Sequence, residues 1–125
     1  IMSSDWSSDV CSSDLDVVKQ VYVDEKIKEY ALDIIFATRQ PKDFDLAELE
    51  TLLTVGASPR ATLWLIKASK ANAFIDGRGY VKPNDVKTVA TDILRHRLVT
   101  SFEAKAEGIG TEQIISRILG RIDVP

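Results

Sequence analysis

Gly56-Ala57-Ser58-Pro59-Arg60 stands directly before the apolar run Ala61–Ala68. The order of residue types marks the start of a helix. Gly56 permits a turn. Ser58 can cap the helix by accepting a hydrogen bond from an orphan N–H. Pro59 suits the first helical position, because its φ is already set and its missing N–H is not needed there. Arg60 then falls in the first turn, where the helix dipole is positive. A cation is misplaced there unless something negative faces it, and helix N-termini bind anions, phosphates above all. Two readings stand. Arg60 is aimed at an anion, or it is a solvated surface arginine that costs about 0.3 kcal/mol.

Outward from this point the chain reads as helices. Upstream, Ile27, Ala31, Ile34, Ile35 and Thr38 recur at helical spacing. Asp24 is placed as the N-cap of that helix, and Pro41 stops it near Arg39. Leu46, Leu49, Leu52 and Leu53 predict a short second helix ending at Gly56. The third begins at Pro59 and carries Leu63, Trp64, Ile66, Ala68, Ala71 and Phe74 to about Ile75. Asp76-Gly77-Arg78-Gly79 is a turn, and Tyr80-Val81 reads as a short extended piece. Pro83 opens the fourth helix, with Asp85 in its first turn and Val86, Val89, Ala90, Ile93 and Leu94 toward the core. Over Leu98–Ala106 the signals conflict, strand for Val99-Thr100-Ser101-Phe102 and helix for Glu103-Ala104-Lys105-Ala106. Thr111 is expected to cap a last helix that Gly120 closes. The expected fold is therefore all-α, a small bundle of about five helices with one short extended segment.

At 125 residues the chain has one domain's worth of sequence, with 45% hydrophobic and 28% charged residues, which is ordinary for a globular protein. No apolar run approaches a membrane span. Residues 1–15 differ from the rest. Ser-Ser-Asp occurs three times there and nowhere else. With no basic n-region and no apolar stretch this is not a signal peptide. It reads either as a non-native leader, Val10–Leu15 resembling a translated sequencing-adapter end, or as a native disordered polar leader. Without its three aspartates the remainder, residues 16–125, has 16 basic and 16 acidic residues and is neutral, which argues against a broad nucleic-acid surface. The sole cysteine, Cys11, also lies in this leader. The remainder has no thiol to form a disulfide, which fits the cytoplasm.

Site chemistry is defined mostly by what is missing. No glycine is followed by lysine, so the chain holds no Gly-Lys-Ser/Thr phosphate loop. Val21-Tyr22-Val23-Asp24-Glu25 has the outline of a magnesium-binding Walker B strand. With a good amphipathic helix directly after it, Asp24 is better read as a cap. His96 is the only histidine, so neither metal-ligand spacing nor a Ser/His/Asp set can be assembled. Arg95-His96-Arg97 suits a helix C-terminus. Arg60, Lys67, Lys70, Arg78 and Lys82 against Asp76 make the middle locally basic, by default a solvated face. Trp64 reads as core or interface.

Gly56-Ala57-Ser58-Pro59-Arg60-Ala61 resembles the sensor-2 motif of the MoxR family of AAA+ ATPases. Val21–Ile27, Phe36–Arg39, Tyr80–Val86, Leu94–Arg97 and Glu103–Gly108 resemble further segments of that family's C-terminal helical lid, in the same order. The likeness runs from about Val17 to the C-terminus. It implies that residues 16–125 are an AAA+ lid and that ATP, with Mg2+, binds between this lid and an N-terminal α/β core in the intact protein. It also gives Arg60 a catalytic role toward the γ-phosphate, with Ser58 and Pro59 shaping the helix end that presents it. Further implications are a ring hexamer, chaperone-like maturation of other proteins, and a von Willebrand factor A-domain partner. Lys82 departs from the pattern, since Thr or Ser is favoured before Pro83. The alternative is a free-standing helical interaction module without nucleotide chemistry. A P-loop and Walker B encoded in frame upstream of Leu15 would decide between the two.

Overall fold

A computed structural model of the chain describes residues 16–125. The expectation about the leader concerns residues 1–15 and lies outside the described residues. Helix α1, Glu25–Arg39, is the centre of the fold. Asp24 caps it, its carboxylate accepting from the Lys26 N–H at 3.5 Å. Ile27, Tyr30, Ala31, Ile34, Ile35 and Thr38 are buried along it, a stripe at three- and four-residue spacing. Pro41 stops α1 and opens a single 3-10 turn, Pro41–Phe44.

The second helix is shorter than the leucine spacing predicts. α2 covers Leu49–Leu52 only. At Leu53 the backbone turns extended, with φ −112° and ψ 125°, and Leu53–Val55 becomes strand β1. It pairs antiparallel with β2, Val99–Thr100, in the register Leu53↔Thr100 and Val55↔Val99. The reason is a partner strand 44 to 47 residues away in sequence, joined to a β-branched segment that suits a strand. The strand signal at Val99-Thr100 and the helix signal behind it are both satisfied, since α5 follows at Phe102–Ala106, capped by Ser101. Tyr80-Val81 is extended as expected. The Tyr22 N–H donates to Gly79 O and the Val81 N–H to Tyr22 O, both at 2.9 Å.

Helix α3, Ala61–Ile75, packs along α4, Pro83–Leu94. Its buried face is not the one marked by large residues. Ala61, Thr62, Leu65, Ser69 and Ala73 are buried, whereas Leu63 and Trp64 are 61% and 52% exposed. The small residues Ala61, Ser69 and Ala73, with Leu65 between them, face Val86, Ala90 and Leu94 of α4, and the Ser69 hydroxyl is satisfied by Leu65 O at 2.6 Å. Helix α6, Thr111–Arg121, closes the bundle with Ile114, Ile115 and Ile118 against α1 and α4. Thr111 is the first helical residue of α6 and not its cap. Gly110 holds that position with extended backbone, and Gly120 lies inside the helix. An antiparallel β-ribbon of five residues in an otherwise helical bundle leaves the all-α architecture intact. Among the described residues no helix is long and apolar enough to cross a membrane.

Candidate functional site

The segment between β1 and α3 is fixed to the C-terminal turn of α1. Gly56 passes so close to it that a Cβ would lie 2.4 Å from the Thr38 carbonyl oxygen. Only glycine fits such an approach. The next residue, Ala57, is fully buried and both of its backbone polar groups are taken by α1. Its N–H donates to Thr38 Oγ1 at 2.9 Å, and its carbonyl accepts from Arg39 Nη1 at 3.3 Å. The Thr38 hydroxyl is itself oriented by donating to Ile35 O at 2.6 Å.

From this clamp the chain turns outward into α3. Ser58 Oγ accepts the Arg60 N–H at 3.3 Å, the expected capping bond. Ser58 O, Pro59 O and Arg60 O accept from Ala61, Thr62 and Leu63 at 2.8, 3.1 and 3.1 Å. Pro59 and Arg60 form the turn that leads into the helix, so α3 proper starts at Ala61, two residues later than the proline predicts. Ser58, Pro59 and Arg60 are all exposed. Among the described residues Arg60 has no ion pair, and the first turn of α3 holds no acidic residue. A free guanidinium thus stands at a positive helix end whose approach is held rigidly. Its neighbours leave it available to an anion that comes from outside the bundle.

The remaining candidates separate clearly. Asp24 is the cap of α1 and faces no second acid cluster. Among the described residues no group of His, Cys, Asp and Glu gathers as a cation site. His96 is exposed in the turn after α4, beside a groove that also contains Trp64. Trp64 is therefore not core. Nor is Arg78 a solvated turn residue. It makes a bidentate pair with Asp85, with Nη1–Oδ2 at 2.7 Å and Nη2–Oδ1 at 2.5 Å, and Asp85 is 1% exposed.

Asp85 also accepts from Asn72 Nδ2 and from the Lys82 N–H, both at 2.8 Å. Its carboxylate is consequently capping α4 in place of the Lys82 side chain, which has no oxygen to offer. The Arg78 hydrogen bonds hold Asp85 down to about 2, against the opposing effect of burial, and push the Arg78 guanidinium up. This network is structural. Its signal in the sequence was the acid three residues after the cap, and the basic reading of the middle segment overlooked it.

Comparison with known proteins places this geometry in a family. The family model described as AAA lid domain matches residues 47–118. Chaperone MoxR1 of Mycobacterium tuberculosis is 38% identical over 104 residues, covering 83% of this chain and 28% of its own length. Protein MoxR of Paracoccus denitrificans is 30% identical over 105 residues, 79% of this chain and 31% of its own. A crystal structure of a protein provisionally assigned as an ATPase, from Cytophaga hutchinsonii, superposes with a TM-score of 0.84 at 40% identity, over 88% of this chain and 33% of that one. The chain spans about a third or less of each of these proteins.

Proposed function

The chain belongs to the AAA lid domain family, of the kind carried by MoxR proteins, and from that premise we propose that it is the lid of a MoxR-like AAA+ ATPase with Arg60 as its sensor arginine. The observation that supports this reading is the exposed, unpaired guanidinium at the start of α3, behind a clamped approach. ATP bound against this end supplies a γ-phosphoryl group whose oxygens gather charge as it transfers. Arg60 donates charge-assisted hydrogen bonds toward that position, from a planar fork suited to phosphate oxygens. Ser58 and Pro59 set the direction from which it reaches. Loss of the γ-phosphate removes the partner of Arg60, so the lid position follows the nucleotide state.

The residues present fit this division of labour. Among the described residues the lid offers a cation and no carboxylate cluster; in this reading the ligands of Mg2+ and the phosphate cradle are supplied by the α/β core. The core and the neighbouring subunits of a ring hexamer are the lid's partners in this reading. A chaperone-like maturation activity, a von Willebrand factor A-domain partner and a cytoplasmic site of action belong to the same proposal and rest on the resemblance to MoxR proteins.

The test uses the intact ATPase that carries this lid. Arg60→Ala should lower steady-state hydrolysis by up to the order of 10³ while leaving the lid folded. Arg60→Lys should recover part, because lysine lacks the fork. Arg117→Ala is the control, an exposed arginine on α6 without an ion pair among the described residues. Nucleotide affinity is measured alongside, since an arginine that acts by closing the lid shows its loss there. Small and equal effects at Arg60 and Arg117 in both measurements would remove the assignment.

A further inference from the structure

A groove of about 680 Å³ runs between the first half of α3 and the last turn of α4. Trp64, Ala68 and Ile93 supply apolar wall, and Trp64 leaves half of its surface uncovered. The charges around it are mainly basic. Lys67 lies over the Trp64 ring, its Nζ 5.0 Å from the centroid, so its ammonium is held at the groove. Arg97 lies on the opposite lip. Neither has an ion-pair partner among the described residues. The one acid of the lining, Asp92, is exposed and shares Arg95 with Glu112, at 3.4 and 3.0 Å, so Lys67 and Arg97 outnumber it in the lining.

We propose that this groove docks a protein segment of another molecule in which an apolar side chain is flanked by carboxylates. The apolar side chain fills the space beside Trp64, where a large exposed aromatic offers anchor area. The carboxylates meet Lys67 and Arg97. A basic or uncharged segment would desolvate both cations without pairing them. A second copy docking through the same face would bring its own Lys67 and Arg97 against this pair, like charge on like. A nucleic-acid backbone needs a line of cations. Here there are two beside a mostly apolar wall, on a body whose described residues carry no net charge. The inference stands apart from the role of Arg60, because no residue it uses serves the anion end of α3.

Random peptides displayed on phage, selected on the full 125-residue chain, give the test. The enriched sequences should share an aromatic or aliphatic residue with Asp or Glu within a few positions. A synthetic peptide of that consensus should shift the fluorescence of Trp64, read in a Trp6→Phe background. Its affinity should fall at least about tenfold in Lys67→Glu/Arg97→Glu. It should also fall in Trp64→Ser and hold in Arg117→Glu, with circular dichroism confirming that each variant is folded. A peptide with its acids changed to lysines should bind the double Glu variant better than the wild type. The proposal is overturned by a basic or uncharged consensus, by no enrichment, or by binding that ignores both substitutions. It is overturned equally by self-association of the chain that Trp64→Ser abolishes, or by single-stranded RNA occupying the groove.

Discussion

Thr38 uses one hydroxyl in two directions, and the geometry of the candidate site depends on it. The proton goes to Ile35 O and a lone pair receives the Ala57 N–H. Thr38→Val keeps the shape and removes both bonds, leaving a buried N–H unpaired. We expect a loss of about 2 kcal/mol in urea unfolding, with Thr38→Ser recovering most of it. Gly56→Ala should be worse, on the order of 3 kcal/mol, because its Cβ would meet backbone and not a side chain that can swing away. The opposite sign is expected at Tyr30. Its ring is 2% exposed, its hydroxyl has no hydrogen-bond partner among the described residues, and burial pushes the phenol pKa up. Tyr30→Phe should stabilise the chain by about 1 kcal/mol, measured in the same unfolding assay, since it deletes a polar group left without a partner.

The elements show which parts of the sequence spoke for themselves. α1 and α4 were legible nearly to the residue, because a capping acid or a proline began each one and a single apolar stripe ran along it. α3 was legible as a helix but not as a face. Its sequence is apolar on most sides, so size did not mark the inside, and close contact with α4 buried Leu65 together with Ala61, Ser69 and Ala73 while leaving Leu63 and Trp64 out. β1 was read as helix because its pairing partner is far away in sequence, and local spacing carries no trace of it. The motif Gly56–Arg60 was legible, while the Thr38 and Arg39 bonds that hold it were not, since they join segments 18 and 19 residues apart. The Asp85 network gives a prediction at this scale. A carboxylate held near 2 contributes stability that is present above its unfolded value near 4 and is lost as pH falls through 2. Acid unfolding of the chain should therefore steepen between about pH 4 and pH 2. Asp85→Asn should flatten that window, and Asp85→Ala should cost about 3 kcal/mol at neutral pH by leaving Arg78 without its main partner.

At the scale of the whole molecule, the lid presents a cation and no apparatus to cradle phosphate. The 125-residue chain alone should release no phosphate from ATP above background in a malachite-green assay, and turnover by the pure chain would contradict the assignment of catalysis to an absent core. One feature of the fold bears on how such a lid would transmit work. Ala57 is bolted to α1, α1 is the centre of the core, and α3 starts four residues after that bolt. The backbone that carries Arg60 has no loop to bend. A pull of a few ångströms at the arginine's tip cannot be absorbed by a bending loop, so it becomes torque on the bundle. α3 is 15 residues, a rod of about 22 Å, and a turn of about 10° at its root would carry its far end through about 4 Å. The clamp around Gly56 is in this sense a gear tooth. If Arg60 holds the anion as proposed, the clamp turns its presence or absence into a sweep of Ile75, which is exposed at the opposite end of the helix.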